Sequence, residues 1–144
     1  MRVLIVEDEP RVAKFLEQAL VSEGFVAEKI NTIDLLRDYI ETSEAQKLSG
    51  PLEIAILDRM LGHGDTKTLF SKFKKAFPET KIIFLSALSS PEEKAELLDL
   101  GADDYLAKPF SLVELLSRIR VQVRKPQATE VESTVLKVGD LFVD

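Results

Sequence analysis

Cysteine is absent from the 144 residues, and histidine occurs once. Without cysteine neither a disulfide nor a thiolate metal site is possible, and nothing points to an oxidising compartment. The single histidine, His63, reads as a solvated loop residue rather than a group that tunes a pocket by protonation. Long apolar runs are missing too. No segment approaches the uninterrupted length needed to cross a bilayer, and Met1 leads straight into a strand-like run without a leader pattern, so the expected location is cytoplasmic. Basic residues are in deficit: 19 Lys and Arg against 25 Asp and Glu leave a formal charge of -6. Gripping a nucleic-acid backbone needs a basic surface, so any DNA contact has to come from elsewhere.

What is present is a 45% apolar chain, enough for one domain with a proper core plus a short extension. Short apolar runs near 2–7, 26–30, 53–58, 81–86 and 103–107 alternate with segments of helical period near 10–23, 32–42, 66–77, 91–100 and 111–124. That alternation implies a parallel sheet with helices on both faces. The runs around Ile5 and Ile56 are apolar almost throughout, as in central strands, whereas 26–30 reads as an edge. Ser90-Pro91-Glu92-Glu93 and Ser111-Leu112-Val113-Glu114 are capping boxes, and Gly24 and Gly101 stop the helices before them. The polar stretch Thr42 to Leu52 is longer than an ordinary connection and is expected to form a surface insertion.

Three acids close the first and third apolar runs: Glu7 and Asp8 after Val3-Leu4-Ile5-Val6, and Asp58 after Ile54-Ala55-Ile56-Leu57. Carboxylates on one sheet edge repel each other and hold a hard divalent cation well, which outlines a magnesium site that a phosphate could complete. Two further strand ends carry polar groups, Ser86-Ala87 and Lys108-Pro109. In open parallel α/β sheets the ligand lies outside the carboxyl ends of the strands, so acids, hydroxyl and lysine converge on one pocket.

These strings, Val6-Glu7-Asp8-Glu9, Ile56-Leu57-Asp58, Leu85-Ser86-Ala87 and Gly101-Ala102-Asp103-Asp104-Tyr105-Leu106-Ala107-Lys108-Pro109-Phe110, stand in the order of a known family. Over roughly residues 1–125 the chain resembles a receiver domain of a two-component response regulator. The resemblance implies an α/β, doubly wound, flavodoxin-like (CheY-like) fold with five parallel strands in the order 2-1-3-4-5. It implies that Asp58 is the phosphoacceptor, taking a phosphoryl group from a histidine kinase or a small donor such as acetyl phosphate. Mg2+ would be held by Asp8, Asp58 and the backbone carbonyl of Met60, with Glu7 acting through a water. Lys108, the Ser86 hydroxyl and the amides of Met60 and Ala87 would bind the phosphoryl oxygens. Ser86 and Tyr105 would form the switch: Ser86 moves toward the pocket and Tyr105 turns from an exposed to a buried rotamer.

Lys94, Asp103, Asp104, Glu114, Arg118 and Lys125 match charged positions through which receivers of the OmpR/PhoB subfamily dimerise. The implied pairs are Lys94 with Glu114, Asp104 with Arg118 and Asp103 with Lys125; the bland alternative is a solvated face. Residues 126–134 read as a linker and 135–144 as the hairpin-like start of a winged-helix DNA-binding domain, the rest of which would lie beyond this chain. The domain reading is therefore receiver over 1–125, then linker, then effector start. A stand-alone receiver that acts by protein binding is the alternative. A flavin carrier is disfavoured by the acidic Glu7-Asp8-Glu9 where a phosphate would bind, and a phosphatase by Met60 where a second aspartate is needed.

Two positions depart from the family pattern. Gly62 stands where proline is usual and Thr66 where glycine is usual, so residues 60–66 are expected to form a mobile loop. Met60 and Leu88 place apolar side chains where polar ones in some receivers orient the hydrolytic water, so an acyl phosphate on Asp58 is expected to be long-lived. Its decay, followed by loss of radiolabel, should accelerate when Met60 is made polar; a lifetime of seconds, unchanged by that substitution, would contradict the idea.

Overall fold

The computed structural model describes residues 1–87 and 90–123. Strand β1 (Arg2–Val6) leads to α1 (Pro10–Ser22), β2 (Val26–Ile30) and α2 (Ile33–Glu41). A one-turn helix α3 (Ser43–Gln46) and a 3-10 turn (Lys47–Ser49) precede β3 (Leu52–Asp58). Two short strands, β4 (Met60–Leu61) and β5 (Gly64–Asp65), form an antiparallel ribbon. A 3-10 turn (Thr66–Leu69) runs into α4 (Phe70–Ala76), followed by β6 (Lys81–Ser86), α5 (Pro91–Leu100), β7 (Asp104–Ala107) and α6 (Leu112–Val123).

The five long strands form one parallel sheet in the order β2-β1-β3-β6-β7. With the ribbon set aside this is the 2-1-3-4-5 order that the resemblance implies. Alternation along each strand sends successive side chains to opposite faces. Leu4, Val6, Ala55, Leu57, Ile82 and Phe84 pack beneath Leu36, Phe73 and Leu97 of α2, α4 and α5. Val3, Ile5, Ile54, Ile56, Ile83 and Leu85 face Leu16 and Leu20 of α1 and Leu115 and Ile119 of α6. Both faces being covered explains why β1 and β3 are apolar throughout, and β2 is the exposed edge that its polar residues suggested.

Two local features differ from the sequence expectation and a third elaborates it. The segment 66–77 is not one helix: its first turn is 3-10, because the Thr66 hydroxyl donates to the carbonyl oxygens of Asp58 (2.9 Å) and Arg59 (3.1 Å) and draws the chain tight there. The capping boxes are half-formed. Ser90 Oγ accepts from the Glu93 N–H and Ser111 Oγ from the Glu114 N–H, but the side chains of Glu93 and Glu114 turn away to arginines.

The insertion, thirdly, has its own structure and an anchor in the sheet. Arg2 donates to the Gly50 carbonyl, to Glu28 Oε1 (2.9 Å) and to the Tyr39 hydroxyl (3.1 Å), which itself donates to Glu28 (2.8 Å). Burial of the Tyr39 phenol and its bond to Glu28 raise its pKa. Arg2→Ala would take this donor from the part-buried Gly50 carbonyl and Glu28 carboxylate and from the buried Tyr39 hydroxyl. It should cost about 1–3 kcal/mol by urea denaturation, less than for a fully enclosed pair because Glu28 is partly exposed.

Candidate functional site

The carboxyl edge of the sheet gathers the groups that the sequence placed at strand ends. Glu7 and Asp8 follow β1, Asp58 ends β3, Ser86 ends β6 with Ala87 beyond it, and Lys108 follows β7. The ladder extends past the strands and holds these positions: Glu7 N–H donates to Ile30 O (3.0 Å), Arg59 N–H to Leu85 O (2.7 Å) and Lys108 N–H to Ser86 O (2.7 Å). Lys108 is joined to Pro109 by a cis peptide bond.

Glu7, Asp8 and Asp58 each offer a carboxylate oxygen within 4.8 Å of the others. Glu7 and Asp58 are 2% and 6% exposed, whereas Asp8 is open to solvent. The Lys108 ammonium donates to Glu7 Oε1 and Asp58 Oδ2, both at 3.0 Å. Burial raises the pKa of Glu7, opposed by the Lys108 bond and reinforced by the nearby Asp58 charge. Burial acts to lower the Lys108 pKa, but its bonds to Asp58 and Glu7 outweigh that and raise it. The ammonium therefore stays charged between two acids. Hard oxygen donors clustered at this spacing could hold a divalent cation.

The remaining expected site residues fall as follows. Ser86 is buried, while Ala87 and Met60 are exposed. Tyr105 lies on β7 beside Phe84 of β6, 5% exposed, and its hydroxyl makes no hydrogen bond among the described residues. The ring thus occupies the inward position here. Asp104, Glu114 and Arg118 meet within one chain: Arg118 donates to both oxygens of Asp104 (2.9 and 3.0 Å) and to Glu114 Oε2 (3.0 Å). Those bonds to Asp104, then to Glu114, raise the Arg118 pKa. Asp103 Oδ2 accepts from the Ile82 N–H at 2.8 Å, and Lys94 is exposed on α5. Leu88, Lys125, the 126–134 linker and the 135–144 hairpin lie outside the described residues.

Sequence reasoning missed a second set of charged contacts, which begins at the residue after Asp58. Arg59 is buried, forms two bonds to Asp65 (both 3.0 Å) and pairs with the buried Glu93 of α5. Lys67 reaches Glu96 on the same helix at 2.7 Å. An arginine directly after an apolar strand and its acidic terminus was the available signal, since a buried guanidinium requires acids nearby. The segment 60–66, expected to be mobile, is the β4–β5 ribbon, tied by Arg59–Asp65, by Thr66 and by a bond from Gly62 N–H to Asp8 Oδ2 (2.8 Å).

Similarity to known proteins runs over most of the chain. Over residues 3–120 the chain matches the family described as the response regulator receiver domain. It is 39% identical over 144 residues to the transcriptional activator protein IrlR of Burkholderia pseudomallei, covering 100% of this chain and 58% of IrlR. It is 36% identical over 143 residues to the transcriptional regulatory protein PcoR of Escherichia coli, covering 99% of this chain and 59% of PcoR. The chain spans little more than half the length of these relatives. The crystal structure of the BeF3-activated N-terminal receiver domain of Klebsiella pneumoniae RstA superposes with a TM-score of 0.72 at 25% identity, covering 87% of this chain and 100% of that one. The chain belongs to the response regulator receiver family. Among the described residues no helix is long and apolar enough to cross a membrane.

The raised Glu7 pKa sets a pH dependence in metal-free protein. Its folded value lies above the ordinary 4.5, so the stability that protonated Glu7 contributes is fully present below 4.5 and lost as pH rises through the folded value. Thermal melts in EDTA should show the wild type losing stability over that window relative to Glu7→Gln. Parallel curves for the two proteins would refute the assignment.

Proposed function

We propose that this chain is the phosphoryl-accepting switch of a two-component transcription regulator of the OmpR/PhoB type, with Asp58 as acceptor. The observation that carries the reading is the Lys108 ammonium held 3.0 Å from both Glu7 and Asp58 at the edge of an acid cluster. One Asp58 carboxylate oxygen attacks the phosphorus of a kinase's phosphohistidine, and the P–N bond breaks. Its electron pair leaves on the imidazole nitrogen, which takes up a proton, and an aspartyl phosphate remains. Such transfers depend on positioning and electrostatics rather than on an elaborate covalent route, which suits a rigid sheet edge.

Lys108 follows the oxygens of the transferred group as a fixed positive charge, while the Ser86 hydroxyl and the amides of Met60 and Ala87 bind them. A bound Mg2+, held by Asp8, Asp58 and the Met60 carbonyl with Glu7 through a water, would neutralise charge on those oxygens. The chemistry is confined to the protein's own phosphorylation and dephosphorylation, so it is not an enzyme acting on a separate substrate. The expected setting is the cytoplasm.

Ser86, drawn to the phosphoryl group, and the inward Tyr105 transmit the event to the surface of α5, β7 and α6. There Lys94, Asp103, Asp104, Glu114, Arg118 and Lys125 form a two-fold interface that pairs the DNA-binding regions of two chains. Arg118 already satisfies Asp104 and Glu114 within one chain. Exchanging these partners across a two-fold gains little energy, since exposed pairs contribute about 0.2–1 kcal/mol each. The charges therefore specify orientation more than affinity.

Light scattering with Mg2+, before and after addition of beryllofluoride as an acyl-phosphate mimic, tests the reading. The wild type should pass from monomer to dimer and Asp58→Ala should not. A dimer under every condition would remove association from the switch.

A further inference from the structure

We propose that the peptide N–H of Gly62 is a positioning donor for Asp8, orienting the exposed acid of the cluster for a divalent cation; this rests on the reading of that cluster as a cation site. Glu7 and Asp58 are buried and held by Lys108, whereas Asp8 is exposed and among the described residues has no ion pair. Its Oδ2 accepts a hydrogen bond from the Gly62 N–H, 2.8 Å away in space and 54 residues away in sequence. A carboxylate has further lone pairs, so accepting this bond and ligating a cation are compatible. Carboxylate ligands held by such an outer bond lose less rotamer freedom on binding metal.

The donor is itself held in place. Gly62 sits in the left-handed region (φ 61°), at the turn between β4 and β5. Below it Arg59 clamps Asp65, and the Thr66 hydroxyl holds the Asp58 carbonyl. Gly64 packs against Ile33, where an added Cβ would come within 3.0 Å of the Ile33 Cβ. A proline at position 62 could neither adopt a positive φ nor donate, so it would remove the bond on two counts. Asparagine keeps the N–H and tolerates the left-handed region, and an added Cβ there meets no atom within 4 Å. The positions where this chain departs from the family pattern thus both donate into the site, Gly62 to the Asp8 carboxylate and Thr66 to the Asp58 carbonyl.

Two measurements on the whole chain decide the matter. In metal-free protein, amide exchange by NMR should show the Gly62 N–H protected in the wild type and exposed to exchange in Asp8→Ala. Calorimetric titration with MgCl2 should then find Gly62→Pro roughly tenfold to a hundredfold weaker than wild type, the range for loss of an outer-shell partner, and Gly62→Asn restored to wild-type affinity. Equal affinity for wild type and Gly62→Pro, or a Gly62 amide whose exchange ignores Asp8, would overturn the inference while leaving the cation site standing. No Mg2+ binding by the wild type would overturn both. Should Gly62→Pro fail to fold, the exchange measurement decides alone.

Discussion

Like charges gathered at one sheet edge are the constraint on which the rest of this molecule depends. Two ionised carboxylates within 4.8 Å repel by about 3–4 kcal/mol at an effective dielectric constant near 20. Glu7 and Asp58 are also withdrawn from water, which adds to the cost of their charge. The Lys108 ammonium offsets this, and it comes from 101 residues away in sequence from Glu7. Only a sheet whose first, third and last strands run parallel brings these groups to one edge. The doubly covered core, apolar on both faces of β1, β3 and β6, holds them there.

The segment from Arg59 to Lys67 connects that edge to the helix layer. Arg59 follows the acid-bearing strand directly and reaches Glu93 in the first turn of α5, while Lys67 reaches Glu96 one turn further on. Two ion pairs thus join the loop beside Asp58 to α5, a helix of the proposed output surface. Arg59 with Asp65 and Glu93 is the better shielded of the two; Lys67 with Glu96 is more open to solvent and correspondingly weaker. The same segment, bearing glycine at 62 and threonine at 66, replaces the rigidity expected of a proline with hydrogen bonds.

Much of the fold was legible because burial on both faces leaves an unmistakable trace. Val3 to Val6 and Ile54 to Leu57 are continuous apolar runs, the helices repeat with their own period, and Ser90-Pro91 and Gly101 mark the ends of α5. The acids, Ser86 and Lys108 were legible as polar residues terminating such runs. The first turn of the 66–77 segment was not, since its 3-10 form follows from the Thr66 hydroxyl bonding to carbonyls seven and eight residues back. Nor was the order in the ribbon: Gly62 reads as freedom in sequence and, once Asp8 lies opposite, becomes a donor held at φ 61°.

By itself the sequence determined the class of the protein: parallel α/β layers, and acids, hydroxyl and lysine at the strand ends where such sheets bind ligands. Periodicity carries that information, because it records which face of each element is buried. Partner choice was decided only by the tertiary structure. Lys108 bridges Glu7 and Asp58, Glu93 turns from its own cap to Arg59, and Arg118 takes Asp104 and Glu114 within one chain. A charged side chain carries no mark in sequence of which opposite charge it will meet. That depends on distances set by the packing of elements far apart along the chain.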